Sequence, residues 1–271
     1  MGMEIAADVL AIRTLMANIC LIGPPDAGDG EWVLVDAGIP YSTGIILRAV
    51  RQRFGREVRP AAIVLTHGHF DHVGALKQLA ARWDVPVYAH ELELPHLTGK
   101  EDYPMPDPSV GGGLMARLSP LYPRTALDLG KRVRPLPRGH RGRQGGEVPH
   151  LPGWRWLHTP GHTDGHVSFF READRLLIAG DAFTTVRQES ALAVLSQRPE
   201  IHGPPMYFTT DWDAAERSVR KLQALKPAVA VTGHGVPMSG ELLTRGLLLL
   251  SQNFDRMAVP DHGIYVDPAE G

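Results

Sequence analysis

Apolar residues fall into two periodicities along this chain. Short apolar runs closed by glycine or polar residues predict strands at 19–22, 32–35, 63–65, 85–88, 154–157, 167–170, 176–178 and 229–231. Apolar stripes at spacings of three and four predict helices between them. One carries Ile45, Ile46, Ala49 and Val50 and ends near Phe54-Gly55; a second carries Val73, Leu76, Ala80 and Trp83. Asp211 is placed to cap a helix over 212–225, with Trp212, Ala215, Val219 and Leu222 on one face. Ser239 is placed to cap another over 241–253, with Leu242, Leu243, Leu247 and Leu250 as candidate core. Strands and helices interleaved in this way predict an α/β layered fold.

The pattern lapses between about 95 and 153. This stretch is rich in proline, holds Gly111-Gly112-Gly113, and shows little periodicity. Lys131, Arg132, Arg134, Arg138, Arg141 and Arg143 follow one another without an intervening acid. Two readings stand: a solvated irregular excursion, or a cap-like insert whose Arg138 and Arg141 grip an anionic part of a substrate. The whole chain, 1–271, reads as a single domain carrying this insert.

Composition narrows the function classes. Of 271 residues, 43% are hydrophobic and 21% charged, ordinary for a globular protein with a sizeable core. A formal net charge of -2 argues against nucleic acid or an anionic membrane as partner, and leaves a small molecule as the expected one. No apolar run is long enough to span a bilayer. The N-terminus lacks the basic start and apolar core of a signal peptide. A single cysteine, Cys20, permits no internal disulfide and fits a reducing compartment, so a cytoplasmic location is expected.

The chemistry lies where the strands stop. Directly after the apolar run 61–65 comes Thr66-His67-Gly68-His69-Phe70-Asp71-His72. Three further runs end alike: Trp156-Leu157-His158-Thr159-Pro160-Gly161-His162, Leu176-Leu177-Ile178-Ala179-Gly180-Asp181, and Val229-Ala230-Val231-Thr232-Gly233-His234. Glycine beside each ligand type lets the backbone turn sharply toward a shared centre. Imidazole and carboxylate together suit zinc, manganese and iron. The segments 59–68 and 226–235 also align without gaps, each a strand ending at a histidine, which fits two related halves.

This ordered set, H-x-H-x-D-H, then G-H, then G-D, then G-H-G, resembles the metallo-β-lactamase-fold hydrolase superfamily. The resemblance runs from Val33-Leu34-Val35-Asp36-Ala37-Gly38 to His234. It implies an αββα sandwich with two divalent metal ions at one edge, zinc foremost, with manganese or iron compatible. His67, His69 and His162 would bind the first ion, and Asp71, His72 and His234 the second, with Asp181 bridging both. Asp36 matches a position that orients a ligand rather than binding metal. His166, outside the motif, reads as a supporting or packing histidine. The implied activity is hydrolysis of a small ester, thioester or lactone by a metal-bridging hydroxide, with Asp71 as possible proton relay.

Departures within the superfamily sharpen this. His69 stands where the redox diiron relatives carry glutamate, which disfavours a redox centre. The bridging carboxylate is similar to that of glyoxalase II, lactonases and phosphodiesterases. Residues 180–190 and 201–205 resemble a generic bacterial subgroup, for which no particular substrate is implied. The alternatives are a mononuclear iron oxidoreductase of the persulfide dioxygenase kind and a metal-dependent phosphodiesterase.

Overall fold

Alternating burial along the strands builds the molecule. The computed structural model describes residues 2–139 and 145–266. A seven-stranded sheet keeps chain order: β1 (Gly2–Ala6), β2 (Val9–Thr14), β3 (Ala17–Ile22), β4 (Val33–Val35), β5 (Ala62–Val64), β6 (Val87–Ala89) and β7 (Val133–Pro135). Pairing is antiparallel up to β4 and parallel from there on. A six-stranded sheet does the same with β8 (Gly145–Val148), β9 (Leu151–His158), β10 (Val167–Arg171), β11 (Leu176–Gly180), β12 (Val229–Thr232) and β13 (Met238–Ser239). There only β11 and β12 run parallel.

The period of two sends alternate side chains to opposite faces. Cys20, Ile22, Val33, Val35 and Val64 of the first sheet meet Trp156, Val167, Phe169, Ile178 and Val231 of the second in one buried cluster. Their neighbours Ile19, Leu21, Leu34, Ile63 and Leu65 face outward onto two helices, α1 (Thr43–Phe54) and α3 (Leu76–Trp83). The short α2 (Phe70–Val73) precedes α3. Beyond α4 (Leu94–Leu97), α5 (Leu114–Leu118) and α6 (Ala191–Ser196) come α7 (Trp212–Ala224), α8 (Gly240–Gln252) and α9 (Phe254–Met257). Phe170, Leu177, Ala179 and Ala230 pack outward on α7 and α8. The layers are therefore αββα.

The eight strands expected from the apolar runs are all present. Asp211 caps α7, its carboxylate accepting from the Ala214 N–H at 2.8 Å. Three expectations are corrected. Ser239 makes no capping bond, because it ends β13 and its extended backbone pairs with Val229. Leu242 and Ile45 point to solvent, 71% and 45% exposed, while Leu243 and Ile46 take the core-facing positions. The described residues of 95–153 are not one irregular excursion. They supply α4, α5, the edge strand β7, β8 and the start of β9. Arg134 and Pro135 are tolerated in β7 because an edge strand leaves one side unpaired.

Among the described residues no helix is long and apolar enough to cross a membrane. Phe169 has no exposure between the sheets, so Phe169→Ala should lower unfolding free energy by about 3–5 kcal/mol. Leu242→Ala should stay within about 0.5 kcal/mol. Urea denaturation of the two variants checks both.

Candidate metal centre

Parallel pairing brings the chemistry to one edge. β4 and β5 run parallel, so Asp36 and the loop holding His67 and His69 leave the first sheet side by side. His69 precedes α2, whose single turn presents Asp71 and His72 inward, both buried. β10 runs against β11, so the loop entering β10, with His162, shares an edge with Asp181 leaving β11. β12 is parallel to β11 and delivers His234 beside it. Gly233 is required here, since a Cβ would run into the Asp181 carboxylate and stand 2.8 Å from His72 Cε1.

Within this edge the ligand-type atoms converge. His69 Nδ1 lies 3.1 Å from His67 Nε2 and 2.9 Å from His162 Nε2. Asp181 Oδ2 lies 3.4 Å from His162 Nε2 and 3.1 Å from His234 Nε2, while its Oδ1 is 3.6 Å from His72 Nε2. Asp71 Oδ2 is 3.4 Å from His234 Nε2. Three groups could each hold a cation: His67, His69 and His162; His67, His72 and Asp181; and Asp71, His72 and His234. Ligands about 2.0–2.2 Å from a tetrahedral zinc stand at separations of this order from one another.

Two observations show that these residues fit a metal. His72 Nε2 and Asp181 Oδ1 are buried and have no hydrogen-bond partner, which costs about 1–3 kcal/mol for each unless something satisfies them. The donor set is also in the right protonation state at the first group. Burial, reinforced by neighbouring imidazoles, pushes His67 and His69 well below the usual histidine range. Burial pushes His162 down to about 4 against the pull of Asp181. These rings are neutral at pH 7, with lone pairs free for a cation. At His72 burial also pushes downward, but Asp181 and Asp36 outweigh it and hold the ring well above its ordinary value. Asp181 and Asp71 do the same for His234. A cation at the second group would displace those protons.

Neighbours fix each ring. Asp36, in the left-handed conformation at φ 59°, accepts from the Thr66 N–H at 2.8 Å and the Thr66 hydroxyl at 2.7 Å. Its Oδ2 also lies 2.8 Å from His72 Nδ1, turning Nε2 toward Asp181. His234 Nδ1 lies 3.0 Å from the Met16 carbonyl. His166 is buried, with Nδ1 3.0 Å from the Thr159 carbonyl, and its Nε2 accepts from the Asp181 N–H at 2.8 Å. Burial pushes His166 down to about 3, so it serves Asp181 as a neutral ring.

Sequence reasoning missed the residues around the first group. Tyr103 and Phe208 each hold their ring centroid 4.6 Å from that of His69. Glu93 is buried and accepts from the Gly68 N–H, between His67 and His69, at 3.0 Å. Tyr207 is buried nearby, and burial together with the Asp71 and Glu189 carboxylates pushes its phenol well above the usual value. The Arg138 guanidinium meets both oxygens of Glu91 at 2.6 Å in an exposed ion pair. Arg141 lies outside the described residues.

The family model of the metallo-beta-lactamase superfamily matches residues 12–234. The chain belongs to that superfamily. Among its superfamily relatives, the probable metallo-hydrolase YflN of Bacillus subtilis (strain 168) is 48% identical over 89% of this chain and 88% of its own. The hydroxyacylglutathione hydrolase of Xylella fastidiosa (strain M23) is 29% identical over 57% of this chain and 42% of its own. The crystal structure of TTHA1623 in a di-iron-bound form superimposes with a TM-score of 0.53 at 30% identity, covering 87% of this chain and 96% of that one. This superfamily membership and the convergent groups make the protein a metallo-hydrolase homologue with a candidate metal site.

Zinc added at about 100 times its dissociation constant should stabilise the fold by about 2.7 kcal/mol, and a chelator should reverse the shift. Thermal unfolding with and without zinc checks this. An unchanged midpoint would mean that the groups do not hold zinc.

Proposed function

We propose that this protein is a dinuclear metal-dependent hydrolase acting on a small ester, thioester or lactone. The observation that carries the reading is the position of Asp181. One carboxylate oxygen lies near both His162 and His234, and the other faces His72. In this reading His67, His69 and His162 hold one ion, Asp71, His72 and His234 hold the other, and Asp181 serves both. The nitrogen-rich first group favours zinc, while mixed nitrogen and oxygen ligation admits manganese or iron.

Two bound divalent cations would supply an acidified water and Lewis-acid polarisation of the substrate oxygen. The chain's own part is to orient and to move protons. In this reading Asp71, whose Oδ2 lies beside His234 Nε2, takes the proton of the attacking water and passes it to the leaving group. Asp36 and His166 keep His72 and Asp181 from turning away. Cys20 is no rival nucleophile: it is buried between the sheets, and burial together with Asp36 pushes its thiol up.

Size supports a small reacting group. The cleft between His69, His162, Tyr103, Met105 and Phe208 measures about 90 Å³. That is far below the ~300–1,000 Å³ of a pocket for a drug-sized ligand. The Xylella relative named hydroxyacylglutathione hydrolase is one precedent for hydrolysis within the superfamily.

The test is hydrolysis by metal-reconstituted protein of an acyl-glutathione thioester, an acyl-homoserine lactone, a β-lactam and a phosphodiester. His67→Ala should lose one ion and turnover together; full activity with one ion lost would sink the dinuclear reading. Asp181→Ala should disturb both ions, and two tightly held ions in that variant would show that it is not the bridge. Phosphodiester cleavage alone would move the protein to that class. Silence on the panel with about one iron per chain would favour the persulfide dioxygenase kind.

A further inference from the structure

Glu93 is a carboxylate that the reaction as proposed does not use, yet it bonds to Gly68, Thr163 and Tyr103 around the first metal group. It follows β6 in the short turn Glu91–Glu93 and is 1% exposed. Its Oε2 accepts from the Gly68 N–H at 3.0 Å and from the Tyr103 hydroxyl. Its Oε1 accepts from the Thr163 hydroxyl at 2.6 Å. Gly68 separates His67 from His69, and Thr163 follows His162. Gly165 lacks the Cβ that would stand 2.6 Å from Glu93 Cγ, so the second loop can close on it. One side chain thus joins the two loops that carry the first group's three histidines.

The third partner extends the connection outward. Tyr103 is buried, with one neighbour in His69 at 4.6 Å between centroids and another in His96, stacked at 4.0 Å and 20°. Tyr103 also walls the small cleft beside His69 and His162. The 101–105 backbone is held by Arg124, His96 and Tyr265, and the hydroxyl bond to Glu93 fixes the Tyr103 ring beside that cleft.

We infer that Glu93 is a positioning residue for the first metal group, tying the Gly68 loop, the Thr163 loop and the Tyr103 ring into one arrangement around it. The inference rests on the dinuclear reading. All three partners donate, so the site needs an acceptor on both oxygens; an amide offers an acceptor on one end and opposes donors with the other. Glu93→Gln keeps the shape and breaks this match. Removing such an outer partner of metal ligands characteristically costs about 10–100-fold in metal affinity.

The test uses the full chain and cobalt(II), followed by its visible absorption and by competition with a chelator, with His67→Ala and His234→Ala marking which site each equivalent fills. Glu93→Gln should weaken the first site about 10–100-fold and leave the second at wild-type affinity. Should Glu93→Gln fail to fold, Tyr103→Phe and Thr163→Val each remove one donor and should show the same first-site selectivity to a smaller degree. Unchanged first-site affinity, or equal weakening of both sites, would overturn the inference. A wild-type protein that binds no cobalt would overturn the dinuclear reading itself and this inference with it.

Discussion

Five imidazoles and two carboxylates, shut away from water and converging in three groups whose ligand-type atoms lie within 4.8 Å of one another, set the terms for this structure. Such a cluster is unfavourable unless each group is paired or neutralised. A flexible surface would relieve it by letting the side chains swing into solvent. Here they cannot swing, because each sits at the end of a buried strand or on the one turn of α2, and most have the far side of the ring engaged. Asp36 fixes His72, the Met16 carbonyl faces His234, and Thr209 lies 3.2 Å from His162 Nδ1. The sandwich supplies the rigidity, and the cluster uses it to keep lone pairs pointed at one another.

The αββα layers were legible because burial on both faces writes continuous apolar runs, as in 61–65 and 176–179. The ligand-type residues were legible because the same grammar recurs: strand, small residue, then histidine or aspartate. What escaped notice depends on pairing rather than on local pattern. β1 is largely exposed and exists because β2 offers it a partner. β13 is two residues long, and β7 is basic and ends in proline. Where two apolar residues adjoin, as at Ile45-Ile46 and Leu242-Leu243, the 100° step of a helix lets only one of them face the core.

The supporting residues were invisible for a related reason. Glu93 meets Gly68 and Thr163 at separations of 25 and 70 residues, and no spacing rule announces it. A basic run without acids looks unpaired in one dimension, but Arg138 meets Glu91, 47 residues back along the chain, and Arg132 meets Asp84.

Both sheets keep strict chain order, the first from residues 2 to 135 and the second from 145 to 239. Each half of the sandwich is thus written as one contiguous piece, and pairings between neighbouring strands can form as the chain emerges during synthesis. The convergent groups obey a different rule. His67, His69, Asp71 and His72 belong to the first half, His162, Asp181 and His234 to the second, and every group draws on both. A growing chain can therefore shape its first sheet early, but no convergent group is complete until His162 of the second half has been made and docked. Neither half carries a complete centre by itself, so the chemistry reports on the joining of the halves.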